Sequence, residues 1–155
     1  MDAIERLLIE RECERLVTQY CHYVDHGEAQ RIADLFTNDG VWTAPGVVTM
    51  TGREELRRGL GHRQARTSRT ARHVCSNLLL TVLDADNVEG VVYMTLYNHD
   101  RKDGEDPDEL PPIGLPRMIG ECRDRFSRTP EGWRFSRREV VAAFREVRSK
   151  QVPQA

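Results

Sequence analysis

The sequence predicts an α+β fold in which helices lie on one side of a curved antiparallel sheet. Up to about residue 64, most of the chain has the apolar periodicity of amphipathic helices. After Thr70 it has the alternation and turn spacing of β-hairpins. Helices that precede an uninterrupted run of strands are typical of α+β architectures.

The first half of the chain contains three predicted helices and one short strand. A long amphipathic helix runs from residue 3 to about 26 and ends at Gly27, and "AQRIADLF" forms a second, shorter helix before a turn at 37–40. "VWTA" at 41–44 is typical of a strand, and Thr51 and Glu54 have the spacing of a capping box that begins the third helix. The apolar face of the first helix comprises Ile9, Cys13, Leu16, Val17, Tyr20, Tyr23 and Val24.

The second half is predicted to form four strands in two hairpins. "RHVCSNLLLTVL" and "VEGVVYMTLYN" flank a turn at 84–87, and "MIGECRDRFSRT" and "GWRFSRREVVAAF" flank a turn at 129–132. Between the hairpins, residues 101–116 are acidic and rich in Pro and Gly, which favours a long loop that is either a functional lid or a disordered spacer. We expect one domain over residues 1–148 and a flexible tail over 149–155.

Composition argues against several classes of function. The chain has 155 residues, of which 39% are apolar and 31% charged, and its net charge is −2. Its arginines are interleaved with acids, which argues against nucleic-acid binding, and the basic run at 63–72 is interpreted as a solvated connection. No segment has the length of a membrane span or the character of a secretory signal, so we expect a cytoplasmic protein whose four cysteines are reduced.

The stretch "YCHYVDHGE" at 20–28 concentrates residue types that carry chemistry. His22 and His26 have the i, i+4 spacing of a metal-binding pair, but they lie on the polar face of the helix with no third ligand, so no metal is expected. Tyr20 lies at the centre of the apolar face and Tyr23 at its flank. Asp25 lies at the edge of that face near the helix C-terminus, where the dipole disfavours an anion, and a histidine would be a suitable partner.

Strand alternation suggests the partner and the further residues of a binding cavity. His73 begins a largely apolar strand and is the natural candidate to meet Asp25. Val92, Met94, Leu96 and Asn98 share one face, which we take as the cavity face, and Tyr93, Thr95 and Tyr97 then lie on an outer face that forms a dimer; the reverse assignment remains possible. Residues expected to bind substrate are Tyr23, Trp42, Met94, Asn98, Asp124 and Arg137. An ion pair between Asp124 and Arg137 is expected, either structural or substrate-anchoring.

The element order, the "FTNDGVW" segment, the "RHVCSN" strand and the closing "GWRFSRREV" together resemble the SnoaL-like branch of the nuclear transport factor 2 superfamily, in particular its scytalone dehydratase and bile acid dehydratase-like members. This resemblance implies a cone-shaped roll whose sheet wraps around a hydrophobic cavity covered by the N-terminal helices. It also implies a homodimer that packs sheet against sheet. On "YCHYVD" and "RH", it implies catalytic roles for Tyr20, Asp25 and His73, with Tyr23 competing for the role of the phenol.

The predicted function is therefore that of a dehydratase or isomerase that acts on a hydrophobic, oxygenated ring compound and requires no cofactor. A histidine can remove a proton next to a carbonyl, an aspartate can orient it, and a tyrosine can stabilise the enolate. The alternative is a protein of the same fold that binds a small molecule without transforming it. A limonene-type epoxide hydrolase is disfavoured, because the adjacent Arg123 and Asp124 face opposite sides of a strand.

Overall fold

The computed structural model describes residues 1–145, which form two α-helices, one 3-10 helix and six strands. The predicted domain boundary at 148 and the predicted tail at 149–155 lie outside the described residues. The helices are α1 (Ala3–Asp25), the 3-10 helix (Ala29–Leu35) and α2 (Gly52–Gln64). The strands are β1 (Phe36–Ala44), β2 (Val48–Thr51), β3 (Arg69–Val82), β4 (Asn87–Asp100), β5 (Met118–Thr129) and β6 (Gly132–Arg145).

Helix α1 has the length and the buried face that the sequence predicts. It begins at a capping box, in which the Asp2 carboxylate accepts from the Glu5 N–H at 2.8 Å and the Glu5 carboxylate accepts from the Asp2 N–H at 2.9 Å. Gly27, with φ +78°, redirects the chain just after the helix. The buried residues of α1 are Ile9, Cys13, Leu16, Val17, Tyr20 and Val24, whereas Tyr23 is half-buried.

The segment between α1 and α2 differs from its prediction in three ways. The second helix is a 3-10 helix, residues 37–40 belong to strand β1 and do not form a turn, and the chain adds a second strand that pairs antiparallel with β1. Helix α2 begins where predicted, but its capping box is absent. The Thr51 side chain makes no capping bond, and the Thr51 N–H instead donates to Glu55 at 2.8 Å.

The six strands form one curved sheet in the order β2-β1-β6-β5-β4-β3. Both predicted hairpins are present as the antiparallel pairs β3–β4 and β5–β6. The predicted α+β fold with a curved sheet is confirmed, and four of its strand pairs are antiparallel as expected, but β1 runs parallel to β6 and the sheet is mixed. Alternation could not have revealed this, since side chains alternate with period two in either strand direction.

Helix α1 covers the inner face of the sheet, and one irregularity in β6 determines which charged residue lies beneath it. In the β5–β6 ladder, Arg125 pairs with Arg137 whereas Phe126 pairs with Phe135, so Ser136 is an extra residue on β6. This bulge shifts the alternation by one position. Arg138 therefore lies inside with Phe135, and Arg137 lies on the outer face.

Candidate functional site

Asp25 and His73 meet at the C-terminal end of α1. The His73 Nδ1 atom lies 2.6 Å from Asp25 Oδ1, and the backbone N–H of His73 donates to Asp25 Oδ2 at 2.7 Å. The Asp25 side chain is 7% exposed and the His73 side chain is 12% exposed. The contact predicted between the end of the first helix and the start of the long strand is present, and it offsets the unfavourable position of a carboxylate at a helix C-terminus.

These two hydrogen bonds determine which tautomer a neutral His73 ring adopts. A carboxylate can only accept, so both Asp25 oxygens are satisfied by donors of a single residue, and Nδ1 of His73 carries the proton. The other ring nitrogen, Nε2, then has a free lone pair. A neutral imidazole held in this tautomer is the arrangement of a general base with an orienting carboxylate.

A cleft of about 670 Å³ opens beside Asp25. Its walls are the C-terminal ends of α1 and α2 and the connection to β3. Arg63, Arg66 and Arg69 are among its lining residues, and we call it the basic cleft. Arg63 donates to the Val24 carbonyl at 3.4 Å, which places it over the C-terminus of α1. Partial burial lowers the pKa of Arg63, and the charge of Arg69 lowers it further.

A second cleft, of about 440 Å³, lies at the same end of the sheet under the long loop. Asn98, predicted to bind substrate, lines it together with Ala71 of β3 and the loop residues Pro111 and Ile113. Ala71 pairs with Asn98 across the two strands, two positions along the ladder from the His73–Leu96 pair. The loop side chains of Leu110, Ile113 and Leu115 are exposed.

Two cysteines line the interior one step below the Asp25–His73 pair. Their Sγ atoms, on Cys21 of α1 and Cys75 of β3, lie 3.4 Å apart as free thiols. Cys21 is one helical turn before Asp25, and Cys75 is the next inward-facing residue after His73. Met94 lies beside them on β4, opposite Cys75, and its sulfur lies 4.0 Å from the Cys122 thiol, so the predicted cavity face of β4 does face inward.

Tyr20 lies deeper and is bound to Trp42. The Trp42 indole N–H donates to the Tyr20 hydroxyl at 2.9 Å, and the described hydrogen bonds of Tyr20 do not extend to His73. Since an indole nitrogen can only donate, the Tyr20 hydroxyl accepts this bond and keeps its own proton for another acceptor. Burial raises the pKa of Tyr20, an effect that the nearby Arg138 charge and the bond from Trp42 reduce. Tyr23 faces elsewhere, with the Arg31 guanidinium 4.4 Å from its ring centroid.

The predicted ion pair of Asp124 forms with a different arginine. Arg138 binds both Asp124 oxygens at 2.7 and 2.8 Å, and the two side chains are 1% and 0% exposed. Pairing with Arg137 was expected from strict alternation and is wrong, because the bulge at Ser136 turns Arg137 outward, where it lies 3.6 Å from Glu139. The Arg138 guanidinium also lies 4.3 Å from the ring centroid of Tyr20.

Neither a metal site nor a membrane span is found in the described chain. Residues 1–145 contain no cluster of three metal-ligating side chains, and His22 and His26 stack on each other on the exposed face of α1. No helix among the described residues is both long and apolar enough to cross a bilayer.

Sequence reasoning missed two features of this region. It assigned the run at 63–72 to a solvated connection, whereas three of its arginines gather in the cleft beside Asp25. Their regular spacing of three residues is visible in the sequence, but it does not distinguish a solvated run from one folded against a helix end. It also missed Arg138, for which the sequence holds no local signal, because a bulge is specified by how two strands pair.

Comparison with known proteins gives a family and a fold. The family model described as a SnoaL-like domain matches residues 5–139. No curated protein matches the sequence. Among solved structures, the chain is similar to a candidate scytalone dehydratase from Novosphingobium aromaticivorans, with a TM-score of 0.77, 19% identity and 99% of each chain covered.

Two further solved structures have the same fold. One is a protein from Novosphingobium aromaticivorans described as NTF2-like with a cystatin-like fold; its TM-score is 0.74 at 22% identity, covering 90% of this chain and 85% of that one. The other is a hexachlorocyclohexane dehydrochlorinase from Novosphingobium barchaimii, with a TM-score of 0.73, 18% identity, and 94% of this chain and 93% of that one covered.

Proposed function

The chain belongs to the SnoaL-like domain family, and from this premise we propose that it is a cofactor-independent dehydratase or isomerase that acts on a hydrophobic, oxygenated ring compound. The observation that carries the proposal is the double hydrogen bond between Asp25 and His73. The dehydratase and dehydrochlorinase names among its structural neighbours agree with an elimination that begins with removal of a carbon-bound proton.

In the proposed reaction, Nε2 of His73 removes a proton from the carbon next to a carbonyl. Asp25 holds the ring through Nδ1 and stabilises the imidazolium that forms. For dehydration, the enolate expels a β-hydroxyl group, the proton on Nε2 passes to that oxygen, and the products are an unsaturated carbonyl compound and water. For isomerisation, the same proton returns to a different carbon.

Tyr20 is the proposed donor to the enolate oxygen. Its hydroxyl accepts from Trp42, so its own proton is available, and Tyr23 is the competing candidate. Trp42, Met94 and Asn98 are proposed to contact the apolar part of the substrate. Asp124 supports this region indirectly, through Arg138, whose guanidinium lies over the Tyr20 ring.

The test is proton exchange and water loss on a panel of hydrophobic cyclic β-hydroxyketones. In D2O, the wild-type chain should exchange the substrate proton next to the carbonyl for deuterium, which NMR follows. It should also form the enone, which absorbance follows. His73→Gln should lose about 10²–10⁴-fold in rate, the range expected for one general base. His62→Gln, which changes an exposed histidine of α2, is the matched control and should keep the wild-type rate.

Two outcomes would count against catalysis by this pair. Equal rates for His73→Gln and the wild type would remove His73 from the chemistry. Tight binding of a panel compound with no exchange and no water loss would favour the alternative function, a small-molecule-binding protein of the same fold.

The outer face of the sheet supports a proposed homodimer. Val74, Tyr93, Ile119 and Phe144 are large apolar side chains exposed there on four successive strands, and Ile119 pairs directly with Phe144. Exposed apolar patches of this kind mark interaction surfaces, and a second copy of the chain would bury this one. Sedimentation equilibrium at micromolar concentration measures the stoichiometry.

The free cysteines agree with the proposed cytoplasmic location.

A further inference from the structure

We propose that the basic cleft binds the anionic group, a carboxylate or a phosphate, of an otherwise apolar ligand whose remaining part reaches the Asp25–His73 pair. This inference rests on the proposed function only in taking the ligand to be the substrate. It narrows the substrate class from hydrophobic ring compounds to hydrophobic acids, and the binding step can be measured without turnover.

The first observation is an excess of positive charge in the cleft. Three arginines line it, Arg63, Arg66 and Arg69, against the single carboxylate of Asp25. Asp25 is already committed, since both of its oxygens accept hydrogen bonds from His73. The walls of the cleft therefore carry three positive charges against one negative charge, and the other nearby carboxylate, that of Asp100, binds Arg69.

The second observation is that two of the three arginines have no anionic partner. Arg69 binds Asp100 through two hydrogen bonds, whereas within residues 1–145 neither Arg63 nor Arg66 forms an ion pair. Burial lowers the pKa of Arg63, and the charges of Arg69 and Arg66 lower it further, whereas the charges of Asp25 and Asp100 raise it. Three arginines therefore face two carboxylates, and the group is positive overall. An added anion would offset that positive charge. Guanidinium groups suit this role, because their planar donors match carboxylate and phosphate oxygens.

The third observation is the shape and position of the cleft. It has a volume of about 670 Å³, enough for a small ring compound, and Val24, Gly27 and Ala65 add carbon surface to its walls. Asp25 belongs to the same wall and binds His73, so it connects the cleft to the proposed base. Arg63 also donates to the Val24 carbonyl near the C-terminus of α1.

The test compares two fluorescent probes that differ in one charge. The anionic probe is 8-anilinonaphthalene-1-sulfonate, and its neutral counterpart is N-phenyl-1-naphthylamine. The double variant Arg63→Gln/Arg66→Gln should bind the sulfonate about tenfold or more weakly, as expected for loss of charge-assisted hydrogen bonds, and should bind the neutral probe as the wild type does. Added salt should weaken sulfonate binding to the wild type more than to the double variant.

Matched controls separate the cleft from general effects of charge and folding. Arg58→Gln removes an exposed arginine from the same helix and should leave both affinities unchanged. Arg66→Gln alone keeps the bond from Arg63 to α1, so it should weaken sulfonate binding without a change in thermal unfolding. Unchanged sulfonate affinity in the double variant, or an equal loss in Arg58→Gln, would overturn the proposal.

Competition identifies the source of the anion, and His73→Gln separates this inference from the proposed reaction. Inorganic phosphate and 2-naphthoate are added to the sulfonate complex. Displacement by naphthoate alone indicates a carboxylate carried on an apolar ring, displacement by phosphate indicates a phosphate group, and displacement by neither overturns the site. His73→Gln should bind the sulfonate as the wild type does. Retained binding with an unchanged reaction rate would contradict only the proposed catalysis, whereas a lost reaction with retained binding agrees with both proposals.

Discussion

Asp25 and Asp124 both have largely buried side chains and each binds one basic residue on another element, but the two pairs differ in partner and in access to solvent. Asp25 binds His73 at the edge of an open cleft, where both side chains retain some exposure. Asp124 binds Arg138 between β5 and β6, where neither side chain has more than 1% of its surface exposed.

The difference separates a pair suited to chemistry from a pair suited to holding the fold. A histidine gains and loses a proton near neutral pH, so its pair is chemically suited to proton transfer. An arginine remains charged, and burial of its pair means that removing one partner leaves the other charged and without water. We therefore expect the buried pair to dominate stability and the partly exposed pair to dominate turnover.

The largest expected effect on stability comes from breaking the buried pair. Arg138→Met leaves the Asp124 carboxylate buried and unpaired, which should lower the free energy of unfolding by about 3–5 kcal/mol in a urea titration. Arg137→Met is the matched control one residue earlier, on the outer face, and should cost less than about 0.5 kcal/mol. Similar costs for the two variants would contradict the assignment of Arg138 as the inward residue.

A second variant distinguishes an unpaired charge from lost packing. In Arg138→Met/Asp124→Leu both partners become apolar, and much of the lost stability should return, because no buried charge remains. If the double variant is as unstable as Arg138→Met, shape at this position matters more than charge.

The contrast between Arg137 and Arg138 also shows how far the sequence could predict this protein. Helix α1, both hairpins and the inward face of β4 follow from local periodicity, which is a property of consecutive residues. The parallel pairing of β1 with β6 and the bulge at Ser136 depend on segments that are far apart in the chain. Local patterns contain no information on either feature, so the ion pair was predicted with the correct aspartate but with an arginine one position away from the observed one.

The Asp25–His73 contact could be predicted because each residue had a separate local signal. Asp25 lies at a helix end that disfavours it, and His73 begins an apolar strand. The family resemblance supplied the pairing, and the structure supplies its geometry. The basic cleft was missed because a run of arginines before a strand gives no indication of whether it is solvated or folded against a helix end.

An intermediate effect on stability is expected at the partly exposed pair. In Asp25→Asn the side chain keeps one acceptor oxygen but faces two donors of His73, the ring Nδ1–H and the backbone N–H. One of these bonds must be lost, so unfolding free energy should fall by about 1–3 kcal/mol, less than for Arg138→Met. Turnover should fall by about 10²–10⁴-fold, because the ring is no longer held in the tautomer with a free Nε2.

Measurement of both quantities on the same two variants tests the comparison directly. Of the two variants, Asp25→Asn should show the larger loss of turnover per folded molecule. Arg138→Met should show the larger loss of unfolding free energy. An Asp25→Asn protein with wild-type turnover would assign both pairs to the fold alone.

The smallest expected effect on stability concerns Tyr20, which contacts the buried pair but is a candidate for the reaction. Tyr20→Phe removes the acceptor of the Trp42 N–H, which should cost about 1 kcal/mol in a urea titration at neutral pH. Tyr93→Phe removes an exposed phenol on the outer face and is the matched control.

The pH dependence of the same variant gives an independent measure of burial. Burial raises the pKa of Tyr20 in the folded chain, so on raising the pH the unfolded chain loses this proton first. The contribution to stability is complete below the ordinary tyrosine value of about 10 and is lost as the pH rises from there through the raised value. Tyr20→Phe should therefore lose less stability than the wild type above about pH 10, whereas Tyr93→Phe should follow the wild type.

Turnover then shows whether Tyr20 acts in the reaction with the Asp25–His73 pair or only packs against the buried Asp124–Arg138 pair. If its hydroxyl donates to the enolate, Tyr20→Phe should slow the reaction by about 10²–10³-fold, far more than the loss of 1 kcal/mol in folding accounts for, while Tyr23→Phe should not. If Tyr20 only packs under Arg138, turnover per folded molecule should stay near the wild-type value. The hydrogen-bond donor to the enolate oxygen must then be sought closer to the clefts, where Asn98 lies.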